Sequence, residues 1–136
     1  MKRILVLCTG NSCRSQMAEG FLRQLANNRF EIFSAGVKAT LVNPFAIKVM
    51  NEIGIDISSH RSKSVTEFLG QEFDTIITVC DNAKKTCPMF PGQYEKIHWD
   101  IEDPAEAKGS EEEILHFFRK IRDEIKNRCL HFMKKY

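Results

Sequence analysis

The sequence predicts an α/β fold, with a four-stranded parallel sheet and helices on both faces in one domain over residues 1–136. Runs typical of strands are separated by segments of helical periodicity, which implies right-handed crossovers and a parallel sheet. The first run, Lys2 to Cys8, is almost continuously apolar, as in a strand covered on both faces. A chain of 136 residues with 43% apolar content is long enough for one hydrophobic core.

The remaining elements follow from periodicity and from residues that begin or end helices. The helix after the first strand has its apolar face at Met17, Ala18, Phe21, Leu22, Leu25 and Ala26. The later predicted elements are a strand at Phe30 to Ser34 that ends at Ala35-Gly36, a helix at Pro44 to Ile53 that stops at Gly54, and strands at Phe73 to Cys80 and Glu95 to Trp99. Between Ser58 and Thr66 the chain is polar, and we expect a mobile loop there.

A long helix ends the chain, beginning with Ser110 and Glu113 as a capping box. Its predicted buried stripe is Ile114, Leu115, Phe117, Phe118, Ile121, Ile125 and Leu130. Cys129 is interpreted as a packing residue, and Lys134 and Lys135 suit the negative end of the helix dipole.

Charge and hydropathy exclude several classes of function. The 20 basic and 18 acidic residues are spread along the chain, which argues against nucleic-acid binding and against a polybasic membrane patch. No run approaches the roughly 20 apolar residues of a membrane span, and the run from Ile4 to Cys8 is too short for a signal peptide. We therefore expect a cytoplasmic protein, in which the five cysteines are catalytic, metal-bound or buried rather than structurally bridged.

The segment between the first strand and the first helix matches C-x5-R-S. It reads Cys8-Thr9-Gly10-Asn11-Ser12-Cys13-Arg14-Ser15. Five residues between Cys and Arg allow the backbone to curl with its N–H groups inward, at the positive end of the helix that follows. The segment from Thr9 to Ser15 is therefore predicted to bind a tetrahedral dianion.

The same field favours a thiolate at Cys8, which makes Cys8 a candidate nucleophile. Arg14 offers two parallel donors to the equatorial oxygens of a transition state, Ser15 can bond the Cys8 sulfur, and Asn11 is expected to hold the loop in shape. The alternative is a buried cysteine at a strand end and an ordinary arginine, which the strand, loop and helix context disfavours. No G-x4-G-K-[ST] nucleotide loop is present, and the cysteines lack the paired C-x2-C spacing of a zinc site.

Asp103 is the best candidate for a general acid that protonates an oxygen leaving group. Pro104 restricts the backbone of Asp103 and so presents its carboxylate in a defined direction. Asp100 and Glu102 are chemically able neighbours, and a solvated acidic loop without a catalytic role is the alternative interpretation.

Cys80 ends the third strand, and Cys87 follows a polar segment that resembles a short, weakly held helix. A disulfide requires Cα atoms within about 7 Å, so these cysteines could meet if that helix unwinds. Alone, a C-x6-C pair is more simply two half-buried cysteines; beside a Cys8 thiolate, a redox role is favoured. His98 and Trp99 could border the site or belong to the core.

Taken together, these motifs resemble those of the thioredoxin-coupled arsenate reductases, which share the low-molecular-weight tyrosine phosphatase fold. The resemblance runs from Ile4 into the last helix. It is carried by CTGNSCRSQMAEG and by the later elements SAG, NP, IGIDIS, ITVC, CP, HW and DP.

The resemblance implies arsenate reduction for arsenic detoxification. Cys8 would attack arsenate held by Arg14 while Asp103 protonates the departing oxygen, and Cys80 would then attack Cys8 and release arsenite. Cys87 would move the disulfide to where thioredoxin reduces it. It implies no metal and no organic cofactor. Phosphate or sulfate would compete as anions, and we expect a monomer.

One departure concerns potassium. Some relatives bind this ion through positions matching Asn11, Glu19 and Ser34 plus a carboxylate, whereas the aligned place here is Lys63. We therefore predict that the Lys63 ammonium occupies or disfavours that site, so that potassium stimulates activity weakly.

Two other functions remain open. A phosphotyrosine phosphatase would use Cys8, Arg14 and Asp103 for hydrolysis, but Ala105-Glu106 stands where such enzymes often place an aromatic pair. We expect at most a weak phosphatase side activity. A non-catalytic anion-binding or redox-sensing module, signalling through Cys80 and Cys87, is the third interpretation.

Overall fold

Four parallel strands form the sheet in the computed structural model, which describes residues 1–136. They are β1 (Lys2–Cys8), β2 (Phe30–Gly36), β3 (Thr75–Thr78) and β4 (Glu95–His98), in the order β2-β1-β3-β4. The α-helices are α1 (Arg14–Ala26), α2 (Pro44–Asn51), α3 (Asp81–Thr86) and α4 (Glu111–Met133), with 3-10 helices at Val65–Phe68 and Pro104–Glu106. The predicted α/β class with a four-stranded parallel sheet is confirmed.

β1 is a central strand of this sheet, as its apolar sequence predicts. Its side chains from Ile4 to Leu7 are at most 1% exposed. Because successive side chains of a strand point to opposite faces, their burial shows that both faces of the sheet are covered. Cys8 is thus the last residue of a strand that is packed on both faces.

α4 packs against α1 and α2, and the predicted capping box of Ser110 and Glu113 is present. Leu130 is wrong as a member of the buried stripe, since it is 39% exposed. The stripe instead continues from Ile125 to Cys129, which is fully buried with Sγ 4.0 Å from the carbonyl oxygen of Ala18. Leu130 follows Cys129 directly and lies about 100° farther round the helix.

The predicted elements are all present, with shifted ends. β2 extends to Gly36, whereas α2 ends at Asn51 and β3 covers only Thr75–Thr78. β3 is short in that its partners on both sides, β1 and β4, pair with those four residues alone. Lys134 and Lys135 lie just beyond α4, which ends at Met133. No helix has both the length and the hydropathy that a membrane crossing requires.

Candidate active site

The site lies at the carboxyl ends of β1 and β3, where α/β folds commonly bind ligands. The anion loop, Thr9 to Cys13, joins β1 to α1. Its cavity has a volume of about 250 Å³. The cavity is lined by Cys8, Thr9, Gly10, Ser12, Cys13, Arg14, Thr40, Asp103 and Ala105, none of them aromatic.

The carbonyl oxygens of the loop are bonded on its outer side. The Cys8 and Thr9 carbonyls accept hydrogen bonds from the N–H groups of Val37 (3.1 Å) and Lys38 (2.8 Å). The Gly10 carbonyl accepts from Thr40 N–H (3.1 Å) and from the Ser62 hydroxyl (2.9 Å). With its carbonyls directed outward, the loop leaves N–H groups free to converge on an anion.

Two donors stabilise the sulfur of Cys8, which is 3% exposed. The Ser15 hydroxyl lies 2.8 Å from Sγ, and the Asn11 N–H donates to Sγ at 3.1 Å. α1 begins at Arg14, directly after the anion loop, and has no acidic residue in its first turn that would offset the positive end of its dipole. These contacts place hydrogen-bonding groups and a helix N-terminus around the Cys8 sulfur.

Asn11 holds the loop in shape, as its position suggested. It is fully buried and has a φ of 51°, in the left-handed region that asparagine tolerates better than most residues. Its amide nitrogen donates to the hydroxyls of Ser15 (2.8 Å) and Ser34 (2.9 Å). Its amide oxygen accepts from Gln16 Nε2 (2.9 Å) and from the Lys63 N–H (2.8 Å).

Arg14 is held in position by the segment that contains Ile101 and Asp103. Its Nη1 donates to the carbonyl of Ile101 at 2.9 Å, and its Nη2 lies 3.6 Å from Asp103 Oδ2. Asp103 in turn caps the 3-10 helix by accepting the Ala105 N–H at 3.0 Å. Of the three acidic residues considered in this segment, Asp103 alone lines the cavity; Asp100 and Glu102 do not.

Cys80 lies beside the anion loop, whereas Cys87 lies at the far end of α3. Cys80 Sγ is 3.2 Å from the Thr9 hydroxyl and accepts the Ala83 N–H as the N-cap of α3. Cys87 is partly exposed; burial raises the pKa of its thiol, and the charge of Lys96 opposes this only in part. The geometry therefore brings Cys80, but not Cys87, to the site.

The other cysteines are poor nucleophiles. Burial raises the pKa of Cys13 to about 12, so it remains a thiol at neutral pH despite its place in the loop. Burial also raises the pKa of Cys129, which packs between α4 and α1.

His98 and Trp99 do not line the cavity. Trp99 is 5% exposed and packs edge-on against Phe132, so it belongs to the core. His98 instead contacts Thr78 and Asp81.

A cluster of charged groups surrounds the buried side chain of Glu19, next to the residues that hold the anion loop. Its carboxylate, 5% exposed, accepts from the Ser34 hydroxyl at 2.5 Å and from Arg23 Nε at 2.8 Å. Lys63 Nζ and His60 Nδ1 each lie 3.7 Å from it. Burial raises the pKa of Glu19, but the bond from Ser34 and the Lys63 charge outweigh it, so the pKa is below its ordinary value.

This cluster connects to Cys8, the predicted nucleophile, through hydroxyl and amide groups. Ser34, which donates to Glu19, accepts from Asn11, and Asn11 donates to Ser15 beside the Cys8 sulfur. The Lys63 ammonium stands next to the Glu19 carboxylate, as the predicted competition with potassium requires; the weak potassium response itself stays a prediction.

Sequence reasoning missed several contributors to the site, among them Thr40 and Ser62, which it did not consider. It placed Thr9 in the anion loop but not against Cys80, and it assigned no role to Gln16 or Gly36. A Cβ at Gly36 would lie 2.7 Å from the backbone nitrogen of Asn11 and from the carbonyl oxygen of Thr9. The glycine that ends β2 was visible in the sequence, but its contact with the loop was not.

Known proteins resemble the whole chain. A family model described as low molecular weight phosphotyrosine protein phosphatase matches residues 3–136. The arsenate reductase of Halalkalibacterium halodurans is 47% identical over 131 residues, which cover 96% of this chain and 94% of that protein. A solved arsenate reductase in a phosphate-binding state is 34% identical, with a TM-score of 0.85, over 99% of this chain and 98% of that one. The thioredoxin-dependent arsenate reductase of Corynebacterium glutamicum is 26% identical, with a TM-score of 0.75, over 99% of this chain and 61% of that one.

Gly36→Ala should weaken anion binding. The added Cβ would meet backbone atoms of the anion loop at 2.7 to 2.8 Å, so the loop must shift, at a cost of about 1–3 kcal/mol in unfolding free energy. Titration with inorganic phosphate and chemical unfolding measure the two effects. Gly20→Ala is the control, because its Cβ would meet only side-chain atoms of Ile57, Met50 and Ile55. Unchanged phosphate affinity in Gly36→Ala would contradict this account.

Glu19→Gln should destabilise the protein at neutral pH and progressively less in acid. The pKa of Glu19 is lowered from 4.5 in the folded state, so its ionised form contributes stability above that pH, and the contribution is lost as pH falls through the lowered pKa. We expect a loss on the order of 2 kcal/mol at pH 7. Urea unfolding from pH 7 to pH 3 measures it, with the exposed Glu124→Gln as control. A difference from wild type that is constant with pH would refute the linkage.

Proposed function

This chain belongs to the arsenate reductases of the low molecular weight phosphotyrosine protein phosphatase family, and we propose that it reduces arsenate to arsenite through a relay of three cysteines. The observation that carries the relay is the 3.2 Å contact between Cys80 Sγ and the Thr9 hydroxyl, which puts a second cysteine at the edge of the anion loop. A phosphatase has no use for that cysteine.

In the first step the Cys8 thiolate attacks arsenic. Arg14 and the N–H groups of the loop hold the oxygens of arsenate, and the charge that develops on them in the transition state is stabilised by the same donors. Asp103, 3.6 Å from Arg14 at the cavity wall, gives a proton to the departing oxygen, which leaves as water. The product is a covalent Cys8 arsenate adduct.

In the second step the Cys80 thiolate attacks the sulfur of Cys8. A sulfur–sulfur bond forms, and the electron pair of the sulfur–arsenic bond stays with arsenic, which is thereby reduced from the pentavalent to the trivalent state. Arsenite leaves, and the two sulfurs have lost the two electrons that arsenic gained. The Thr9 hydroxyl beside Cys80 can donate a hydrogen bond that stabilises the attacking thiolate.

In the third step Cys87 attacks Cys80 and restores the Cys8 thiolate. Seven residues along an α-helix span about 10.5 Å, whereas bridged cysteines have Cα atoms no farther apart than about 6.8 Å. α3 must therefore unwind. Unwinding also exposes Cys87, which removes the burial that raises its pKa. Thioredoxin then reduces the Cys80–Cys87 disulfide by exchange.

The lack of aromatic residues in the cavity lining favours a small oxyanion over phosphotyrosine as the substrate. No side chain of the lining could stack against a phenyl ring, and the small Ala105 occupies a lining position that an aromatic residue could take. The loop cannot distinguish strongly between phosphate and arsenate, because both are tetrahedral dianions of similar charge. Phosphate and sulfate should compete with arsenate, and phosphate esters should be hydrolysed slowly.

Removing any one cysteine of the relay should stop arsenate reduction. In a coupled assay with thioredoxin, thioredoxin reductase and NADPH, we expect wild type to turn over and Cys8→Ser, Cys80→Ser and Cys87→Ser to lose at least about 100-fold in rate, since each is an obligatory nucleophile. Cys129→Ala is the matched control, because Cys129 packs away from the site. Turnover by Cys80→Ser or Cys87→Ser near the wild-type rate would eliminate the relay.

Phosphate ester hydrolysis should separate the loop chemistry from the relay. With p-nitrophenyl phosphate, Cys8→Ser should be inactive while Cys80→Ser and Cys87→Ser remain as active as wild type, since hydrolysis needs no disulfide. Asp103→Asn should lose about 10²- to 10⁴-fold in rate as a general acid, and Asp100→Asn is its control. Equal losses in both aspartate variants would remove Asp103 from its role.

A further inference from the structure

α3 is held to the rest of the protein by few contacts, and one of them involves residues that take no part in the proposed reaction. The helix has six residues, a length that is marginal in water, and Ala83 is its only buried residue. A cavity of about 290 Å³ adjoins it, lined by Ile76, Thr78, Lys84, Lys96, Ile97 and His98. Apolar packing therefore contributes little to its stability, and polar contacts of its first turn carry more weight.

The first residue of α3 contacts a histidine on the neighbouring strand. Asp81 Oδ1 lies 3.4 Å from Nε2 of His98, whose side chain is 20% exposed. The other ring nitrogen of His98 is fixed 2.8 Å from the Thr78 hydroxyl, and Thr78 and His98 are register partners of β3 and β4. The ring is thus anchored to the sheet on one side and to α3 on the other.

The contact between His98 and Asp81 is attractive for the neutral His98 ring that carries its proton on Nε2 and for the doubly protonated ring. A hydroxyl can donate or accept, so Thr78 suits a neutral ring with its proton on Nε2 and also the doubly protonated ring. In each form Nε2, 3.4 Å from the Asp81 carboxylate, carries a proton. Asp100 offers a further carboxylate within 4.8 Å of these groups, and Lys84 and Lys96 lie on the same side of the sheet.

We propose that His98 is a positioning residue that holds the first turn of α3 to the sheet edge through Asp81 and thereby sets how readily the segment from Cys80 to Cys87 unwinds. The inference deepens the proposed function and rests on it, because unwinding is the step that lets Cys87 reach Cys80. Breaking the contact favours the unwound state and leaves the chemistry at Cys8 unchanged.

Amide hydrogen exchange of the reduced full-length protein, without arsenate, tests the contact directly. Asp81→Asn and His98→Gln should each speed exchange of the α3 amides about two- to fivefold, the range of one exposed ion pair. The double variant should exchange no faster than either single variant, because both remove the same contact. Glu102→Gln is the control: it removes an exposed charge that does not belong to the group of Asp81, His98 and Asp100, and should leave exchange unchanged. Wild-type exchange in both single variants, or additive effects in the double, would overturn the proposal.

A single turnover with arsenate and no thioredoxin tests the consequence. Rapid quenching and mass analysis should show transfer of the disulfide from Cys8–Cys80 to Cys80–Cys87 about two- to fivefold faster in Asp81→Asn and His98→Gln, with p-nitrophenyl phosphate hydrolysis as in wild type. An unchanged transfer rate in active enzyme would overturn the positioning role. If no variant, wild type included, forms an arsenate-dependent disulfide, the proposed function fails while the exchange result still decides the contact.

Discussion

The buried amide of Asn11 is the interaction on which the active site depends. It bonds at once to α1 through Ser15 and Gln16, to β2 through Ser34, and to the segment that follows α2 through the Lys63 N–H. Each of its polar atoms is satisfied, so the cost of burying them is offset. Because three separate parts of the fold meet at one side chain, the anion loop is rigid before any anion arrives, and its donors need no reorganisation when one binds.

The hydrogen bonds that hold the anion loop lead to a buried charge, the Glu19 carboxylate, which other groups must balance. The Glu19 carboxylate would be costly to bury alone, and Arg23, Lys63 and His60 surround it. Burial lowers the pKa of Lys63 below its ordinary value despite the carboxylate nearby, so the ammonium is held at some cost of desolvation. The segment that carries Lys63, expected from its polar sequence to be a mobile loop, is therefore attached to the site by a backbone hydrogen bond to Asn11 and by charge.

The sequence predicted those parts of the molecule that local chemistry determines. Continuous burial of β1, the capping box at Ser110 and the anion loop each follow from neighbouring residues. Leu130 was misplaced because an apolar residue in a helix is compatible with two adjacent faces, and only the position of α1 decides between them. The contacts of Thr9 with Cys80 and of Gly36 with the loop join residues far apart in the chain, so no local pattern could indicate them.

Two opposite demands on stability meet at the carboxyl edge of this sheet. The anion loop must not move, since its donors act only in one arrangement, and it is fixed by backbone and side-chain hydrogen bonds, several of them buried. In the proposed relay, the segment that follows β3 must move, since Cys87 cannot reach Cys80 along an intact helix. The chain meets both demands by burying Cys80 against Thr9 at the fixed end of α3 and leaving Cys87 partly exposed at the other. If the proposed relay operates, a longer or better packed α3 would stabilise the protein and slow the transfer of the disulfide to its surface, which would be a reason for the helix to remain only six residues long.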